Sequence, residues 1–298
     1  MRSFLFFLAF LSISQAALAK LNILATTNDL GVLARELGGS EVEITVLCPP
    51  DRDPHYLEPK PSYMIKASKA DLVLSIGLEL EIGWLPPVLR GGRNPKVMPG
   101  APGYCEAQSF IQPLELGGGA SRAQGDVHPG GNPHFMLDPV RDSQIALGLA
   151  EKLAELDPAH AADYRSRAQA FKKRMEEKTA AWQKRIKASG TKEAFTYHKT
   201  LVYFFDRFGL ENAGNLEPKP GIPPTASHLL ELMRVAKDRK VRLTLVEHYF
   251  DLGAAKKIAT EVPGMRVALA PVMPGAPQAG ANLDDLFESL VSQVEGKP

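Results

Sequence analysis

Residues 161–188 read AADYRSRAQAFKKRMEEKTAAWQKRIKA, without a single Gly or Pro. Tyr164, Ala168, Phe171, Met175, Trp182 and Ile186 recur at steps of three, four or seven. That spacing puts one apolar stripe along a helix of about seven turns, with charged residues on the remaining faces. A helix more than twice the usual three turns suits a connector that spans two domains.

On either side, strand-like and helix-like segments alternate. Before the long helix, strands are predicted at residues 21–25, 42–47 and 72–76, with helices at 28–37, 63–69 and 81–89, the last interrupted by Pro86 and Pro87. Residues 91–133 are rich in Gly and Pro and read as a long loop with one short strand near 96–98. A helix at 144–156 ends at Asp157-Pro158. After the long helix the alternation resumes, with strands at 194–197, 241–246 and 266–269, an extended stretch at 211–216, and helices at 200–208, 225–237, 252–260 and 283–294. Two α/β lobes, each with a parallel sheet, joined by one long helix follow from this order. The expected divisions are 20–140 for the first lobe, 141–190 for the helical connector and 191–298 for the second lobe.

The first 19 residues read as an export signal. Arg2 supplies the charge, residues 4–13 an apolar run too short to span a bilayer, and Ala17-Leu18-Ala19 a small-x-small cleavage site. We expect cleavage after Ala19, and with no cysteine near that site, a free periplasmic protein without a lipid anchor. Cleavage removes one Arg and no acid, so the formal charge falls from +1 to 0. A neutral chain argues against nucleic acid or an anionic membrane as the main partner. Cys48 and Cys105 are the only cysteines, and either a disulfide or two buried thiols is compatible with an oxidising compartment.

The chain has seven histidines, and two of them follow a polar residue and a proline: Asp53-Pro54-His55 and Asn132-Pro133-His134. Proline fixes its own φ, so the next side chain leaves a pre-set backbone. His198 directly follows the strand ending at Tyr197, and Glu247-His248 follows the strand ending at Val246. In open α/β sheets ligands bind beyond the carboxyl ends of the strands, so donors from both halves converge on one cleft. Three imidazoles and one carboxylate satisfy a tetrahedral zinc ion. Spacing alone does not single out this site, since there is neither His-Glu-x-x-His nor paired Cys-x-x-Cys.

Several motifs together resemble the zinc/manganese substrate-binding proteins of bacterial ABC importers. They are Asp53-Pro54-His55 followed by Glu58-Pro59-Lys60-Pro61-Ser62, and Asn132-Pro133-His134-Phe135-Met136-Leu137-Asp138-Pro139. Tyr197-His198 ahead of Tyr203-Phe204, Arg207-Phe208-Gly209-Leu210, and Val246-Glu247 complete the set, which covers essentially the whole mature chain. The resemblance implies two lobes joined by a rigid helix, with metal held between them by His55, His134 and His198. It also implies delivery of the metal to a cognate permease in the inner membrane, by a protein expected to act as a monomer. The family usually places an Asp after the last strand of the second lobe, where this chain has Ala270. Glu247 is the expected fourth donor, with His248, His128 or a water as alternatives. His128 is the one histidine in residues 117–131, where many zinc members carry a His-rich loop. Three imidazoles favour Zn2+ over Mn2+ or Fe2+. The competing readings are a zinc-dependent hydrolase with Glu247 as general base on a metal-bound water, a binder of a small organic ligand, and a surface adhesin.

Overall fold

A computed structural model describes residues 20–116 and 128–297. The expected export signal and most of the Gly-rich stretch before His128 lie outside the described residues. Among the described residues no helix is long and apolar enough to cross a membrane.

The first lobe contains β1 (Leu21–Ala25), α1 (Asn28–Gly38), β2 (Val42–Val46), α2 (Pro61–Lys69), β3 (Leu72–Ser75), α3 (Leu85–Gly92) and β4 (Tyr104–Glu106). Two helices follow, α4 (Pro139–Leu156) and α5 (Ala161–Ser189). The second lobe contains β5 (Glu193–Thr196), α6 (Val202–Phe208), β6 (Glu211–Asn215), α7 (Ala226–Arg239), β7 (Leu243–Glu247), α8 (Gly253–Glu261), β8 (Arg266–Ala270) and α9 (Leu283–Glu295). Each lobe has a four-stranded, wholly parallel sheet, in the orders β2-β1-β3-β4 and β6-β5-β7-β8. The central strands β3 and β7 are buried throughout. Parallel sheets covered on both faces carry such continuous apolar runs.

Three local differences from the sequence reading have clear causes. The helix expected at 81–89 starts at Leu85, because Pro86 and Pro87 fall in its first turn, where an N–H has no intrahelical acceptor to lose. The short strand expected at 96–98 is a 3-10 turn at Pro95–Val97, and the edge strand is Tyr104–Glu106, which pairs with β3. The helix expected from residue 144 begins earlier, at Pro139, where the Asp138 side chain accepts from Val140 N–H as an N-cap. Cys48 and Cys105 are free, buried thiols, and burial pushes them up to about 12 and about 11.

Helix α5 buries Tyr164, Ala168, Phe171, Met175, Thr179, Trp182 and Ile186, the stripe read from the sequence with Thr179 filling its one gap. The stripe belongs to a single apolar cluster that also includes Leu33 and Leu37 of α1 and Leu286, Phe287 and Leu290 of α9. Polar contacts repeat the arrangement. Arg174 on α5 pairs with Glu36 of α1 and Asp284 of α9, so one guanidinium ties the helix to both lobes. Farther along, Arg185 pairs with Glu288 and Glu295, and Trp182 Nε1–H donates to Glu288.

The apolar cluster shared by both lobes should couple their unfolding. Phe171→Ala empties the middle of that core and should cost about 3–5 kcal/mol. Calorimetry of the metal-free chain should show one transition, lowered in the variant but not split. Two separable transitions would contradict a shared core.

Candidate metal centre

His55 and His134 are aimed by the same device. In the first, the Asp53 carboxylate accepts from the backbone N–H of His55 at 2.9 Å, closing an Asx turn over Pro54. In the second, Asn132 Oδ1 accepts from His134 N–H at 2.9 Å over Pro133. A short polar side chain thus satisfies the amide two residues on while the proline fixes the bend between them. Each turn is anchored from behind. Pro54 C=O accepts from the indole of the fully buried Trp84 at 2.8 Å. Asn132 C=O accepts from Tyr203 O–H at 2.6 Å, and Asn132 Nδ2 donates to Lys199 C=O at 2.9 Å, so this turn is held by the second lobe.

His198 leaves the end of β5. Its backbone N–H donates to Glu247 at 3.1 Å, and its C=O accepts from Thr196 Oγ1 and Asn215 Nδ2 at 2.7 and 3.0 Å. Its ring Nδ1 lies 2.8 Å from Glu217 Oε2, and the His55 Nδ1 lies 2.7 Å from Asp53 Oδ1. A carboxylate only accepts, so each of these rings carries its proton on Nδ1, which leaves Nε2 as the acceptor nitrogen.

The three rings meet between the lobes. Their centroids are 5.2 Å apart for His55 and His134, 5.5 Å for His55 and His198, and 5.4 Å for His134 and His198. One nitrogen from each lies within 4.8 Å of the others. His134 and His198 are buried, and His134 Nε2 has no hydrogen-bond partner among the described residues. Burial, followed by the neighbouring imidazoles, holds the His134 pKa well below the ordinary histidine value, so this ring is neutral. An unpartnered buried acceptor costs about 1–3 kcal/mol. A divalent transition metal at the meeting point would remove that cost, and imidazole nitrogens suit such an ion.

The family described as "Zinc-uptake complex component A periplasmic" matches residues 23–295. The chain belongs to this family. The high-affinity zinc uptake system protein ZnuA of Brucella abortus is 28% identical over 164 residues, which are 54% of this chain and 47% of that protein. The match thus spans about half the length of that relative. The metal ABC transporter substrate-binding lipoprotein ScbA of Streptococcus cristatus is 24% identical over 238 residues, 76% of this chain and 72% of that one. A crystal structure of ZnuA superposes with a TM-score of 0.79 at 24% identity, covering 93% of this chain and 98% of that one. The Cd-bound periplasmic metal-binding protein of Candidatus Liberibacter asiaticus superposes at 0.76 with 20% identity, covering 93% and 99%. These superpositions establish the same two-lobed fold.

Two of the fourth-donor candidates read from the sequence are engaged elsewhere. Glu247 is wholly buried, and its carboxylate accepts from the backbone N–H groups of Tyr197 and His198 at 3.2 and 3.1 Å. It positions the His198 backbone and is not part of the nitrogen cluster. His248 uses both ring nitrogens. Nε2–H donates to Pro50 C=O across the lobe boundary at 2.7 Å, and Nδ1 accepts from Val272 N–H at 3.3 Å. Ala270 ends β8 as a buried apolar residue, and its C=O accepts from His248 N–H.

Glu217 was not among the residues singled out from the sequence. Its available signal was an acid just beyond the extended stretch that pairs beside the His198 strand, immediately before Pro218. Glu81 was also missed. It is the first lobe's counterpart of Glu247: buried, accepting from Thr26 Oγ1 and Ile76 N–H at 2.7 Å each and from Gly77 N–H at 3.2 Å.

Two outcomes test these assignments. Glu247→Gln and His248→Ala should leave the number and type of nitrogen and oxygen donors seen by X-ray absorption on bound zinc unchanged, although both should lower the melting temperature. Loss of a donor in either variant would return that residue to the metal. Glu81 gives a pH test. Burial raises its carboxyl from the ordinary 4.5 to about 7. Between those values the folded state keeps a proton that the unfolded state releases, so stability falls as pH rises through this window. Glu81→Gln removes that dependence. The melting temperature of the parent minus that of Glu81→Gln should be largest near pH 4.5 and shrink toward pH 7. A constant difference would contradict a buried, proton-holding Glu81.

Proposed function

We propose that this chain is a periplasmic substrate-binding protein that captures a divalent transition metal, zinc before Mn2+ or Fe2+, and delivers it to the permease of an ABC importer. Residues 20–140 and 191–298 act as the two metal-binding lobes, and residues 141–190 as the connector. In this reading the protein is a monomer and the metal is its cargo. His55, His134 and His198 are the ligands.

The observation that carries the reading is the convergence of three imidazole nitrogens within 4.8 Å, two of them facing inward because Asp53 and Glu217 hold the opposite ring nitrogen. Such outer partners fix the tautomer and raise the basicity of a ligating histidine. Zinc is favoured because three neutral nitrogens suit zinc, copper and nickel better than manganese. Family membership supports the transport role.

The hydrolase alternative depends on Glu247 as general base. Its carboxylate accepts from two backbone amides and is wholly buried, so neither oxygen faces solvent. A binding protein, not an enzyme, is therefore the reading the geometry favours.

Metal analysis of the mature protein should find one zinc per chain, and His55→Ala, His134→Ala and His198→Ala should each abolish stable retention. Glu217→Gln keeps the ligand but weakens its orientation, and should reduce zinc affinity about 10–100-fold. Stoichiometric zinc retained by all three histidine variants would remove the site from these residues.

A further inference from the structure

His198 lies just beyond the carboxyl end of β5, and Glu247 ends β7. The opposite ends of the same strands carry a different chemistry. Lys192 stands one residue before β5, Arg242 one residue before β7, and Arg266 opens β8. These three strands are neighbours in the sheet, so the three cations form one row. With Lys240, at the end of α7, they line an open cleft of about 500 Å3. We propose that this cleft binds a multiply charged oxyanion of the phosphate class. The inference goes beyond the metal-binding reading and does not depend on it, since the length of β5, about 20 Å, separates the cleft from His198.

The first support is charge. Five cations and two acids line the cleft, which gives the lining a formal charge of +3. Both acids are already paired, Glu193 with Arg239, and Glu295 with Arg185 and Lys297. Lys192, Lys240, Arg242 and Arg266 have no carboxylate partner among the described residues.

The simplest role for such cations is to cap helices. Parallel strands begin where the returning helices end, so α5, α7 and α9 all finish at this cleft. Each carboxyl end of a helix carries about −0.5 of a charge, or about −1.5 for three. Capping therefore offsets about half of the lining charge, and the cleft stays positive.

The hydrogen bonds lead to the same conclusion. A guanidinium has five N–H donors. Arg242 commits only Nη1, to the carbonyls of Ala236 and Val241 at 3.1 and 2.8 Å. Arg266 commits Nη1 and Nη2 once each, to the carbonyls of Gln293 and Val294 at 2.6 and 3.0 Å. Three donors are left over on each side chain. Planar guanidinium forks match anionic oxygens in pairs, and lysine adds a point charge. Two forks and two ammonium groups around one cleft suit a group with several anionic oxygens.

Arg266 shows the electrostatic consequence. It is half-buried, and burial alone draws its pKa below the usual arginine value. Arg185 on α5 is raised instead, chiefly by its bond to Glu295. A partly buried cation with no acid beside it gains from an incoming anion.

The test titrates inorganic pyrophosphate into the full mature chain by calorimetry at low salt, with metal removed because pyrophosphate itself chelates zinc. Saturable binding to one site is expected, weakening as sodium chloride is added. The double variant Arg242→Gln, Arg266→Gln should bind about tenfold more weakly or worse, because charge-assisted hydrogen bonds are lost. Both arginines also cap helices, so a second double variant, Lys192→Gln with Lys240→Gly, leaves the caps in place and should weaken binding by about the same factor. His198→Ala should bind pyrophosphate like the parent, and both double variants should retain zinc like the parent, so this inference and the metal-binding reading fail separately. Co-sedimentation with phosphatidylglycerol vesicles, against phosphatidylcholine, distinguishes two sources of the phosphate group. Pyrophosphate binding without vesicle retention assigns a soluble ligand. Retention on phosphatidylglycerol that pyrophosphate reverses assigns a lipid headgroup. No pyrophosphate binding and no retention on either vesicle would overturn the inference. Parental affinity in both double variants would overturn it too, placing the anion elsewhere on the chain.

Discussion

Imidazole lone pairs do not gather of their own accord, and their enforced meeting is the constraint on which this site depends. His55 and His198 each have one ring nitrogen bonded to a buried or half-buried carboxylate, so the opposite nitrogen points into the gap between the lobes. His134, buried and neutral, brings a nitrogen with no partner among the described residues. The unfavourable approach of these groups is balanced by the rest of the fold: two Asx-Pro turns, an indole behind one of them, and a strand end held by Glu247. A cation is the one occupant that converts the arrangement from a cost into a gain.

On the proposed function, the scaffold must keep these groups in place while the cargo enters and leaves. Helix α5 contributes to a core continuous from α1 to α9, and Arg174 links the same elements by charge. Contacts between the lobes cluster near the site: His248 with Pro50, Asn28 with the Pro274 carbonyl, and Tyr203 with the Asn132 carbonyl. Wide separation of the lobes would break the shared core as well as these bonds. Local movement of the loops bearing His55 and His134 breaks far fewer. On the proposed function, release therefore belongs to the loops, and protons compete with the metal for the same nitrogens.

The parts legible in the sequence were those set by local chemistry. The stripe of α5 needed only helical periodicity. Asp53-Pro54-His55 and Asn132-Pro133-His134 could be recognised as aiming devices because an Asx side chain and a proline act within three residues. The parts that were not legible depend on distant partners. Tyr104–Glu106 becomes a strand by pairing with β3, not by its own pattern. Glu217 matters because β6 lies beside β5, and Glu247 is engaged by two backbone amides just beyond β5. A sequence shows that an acid stands at a strand end but not which donors surround it. That is why a carboxylate read from the sequence as a fourth donor is found accepting from the backbone N–H groups of Tyr197 and His198.

The most direct test is a crystal of the zinc-loaded protein with anomalous differences collected on both sides of the zinc edge. The account predicts one strong peak between the lobes, about 2.0–2.1 Å from a ring nitrogen of each of His55, His134 and His198. A zinc peak bound elsewhere, with these three rings turned away from one another, would contradict it.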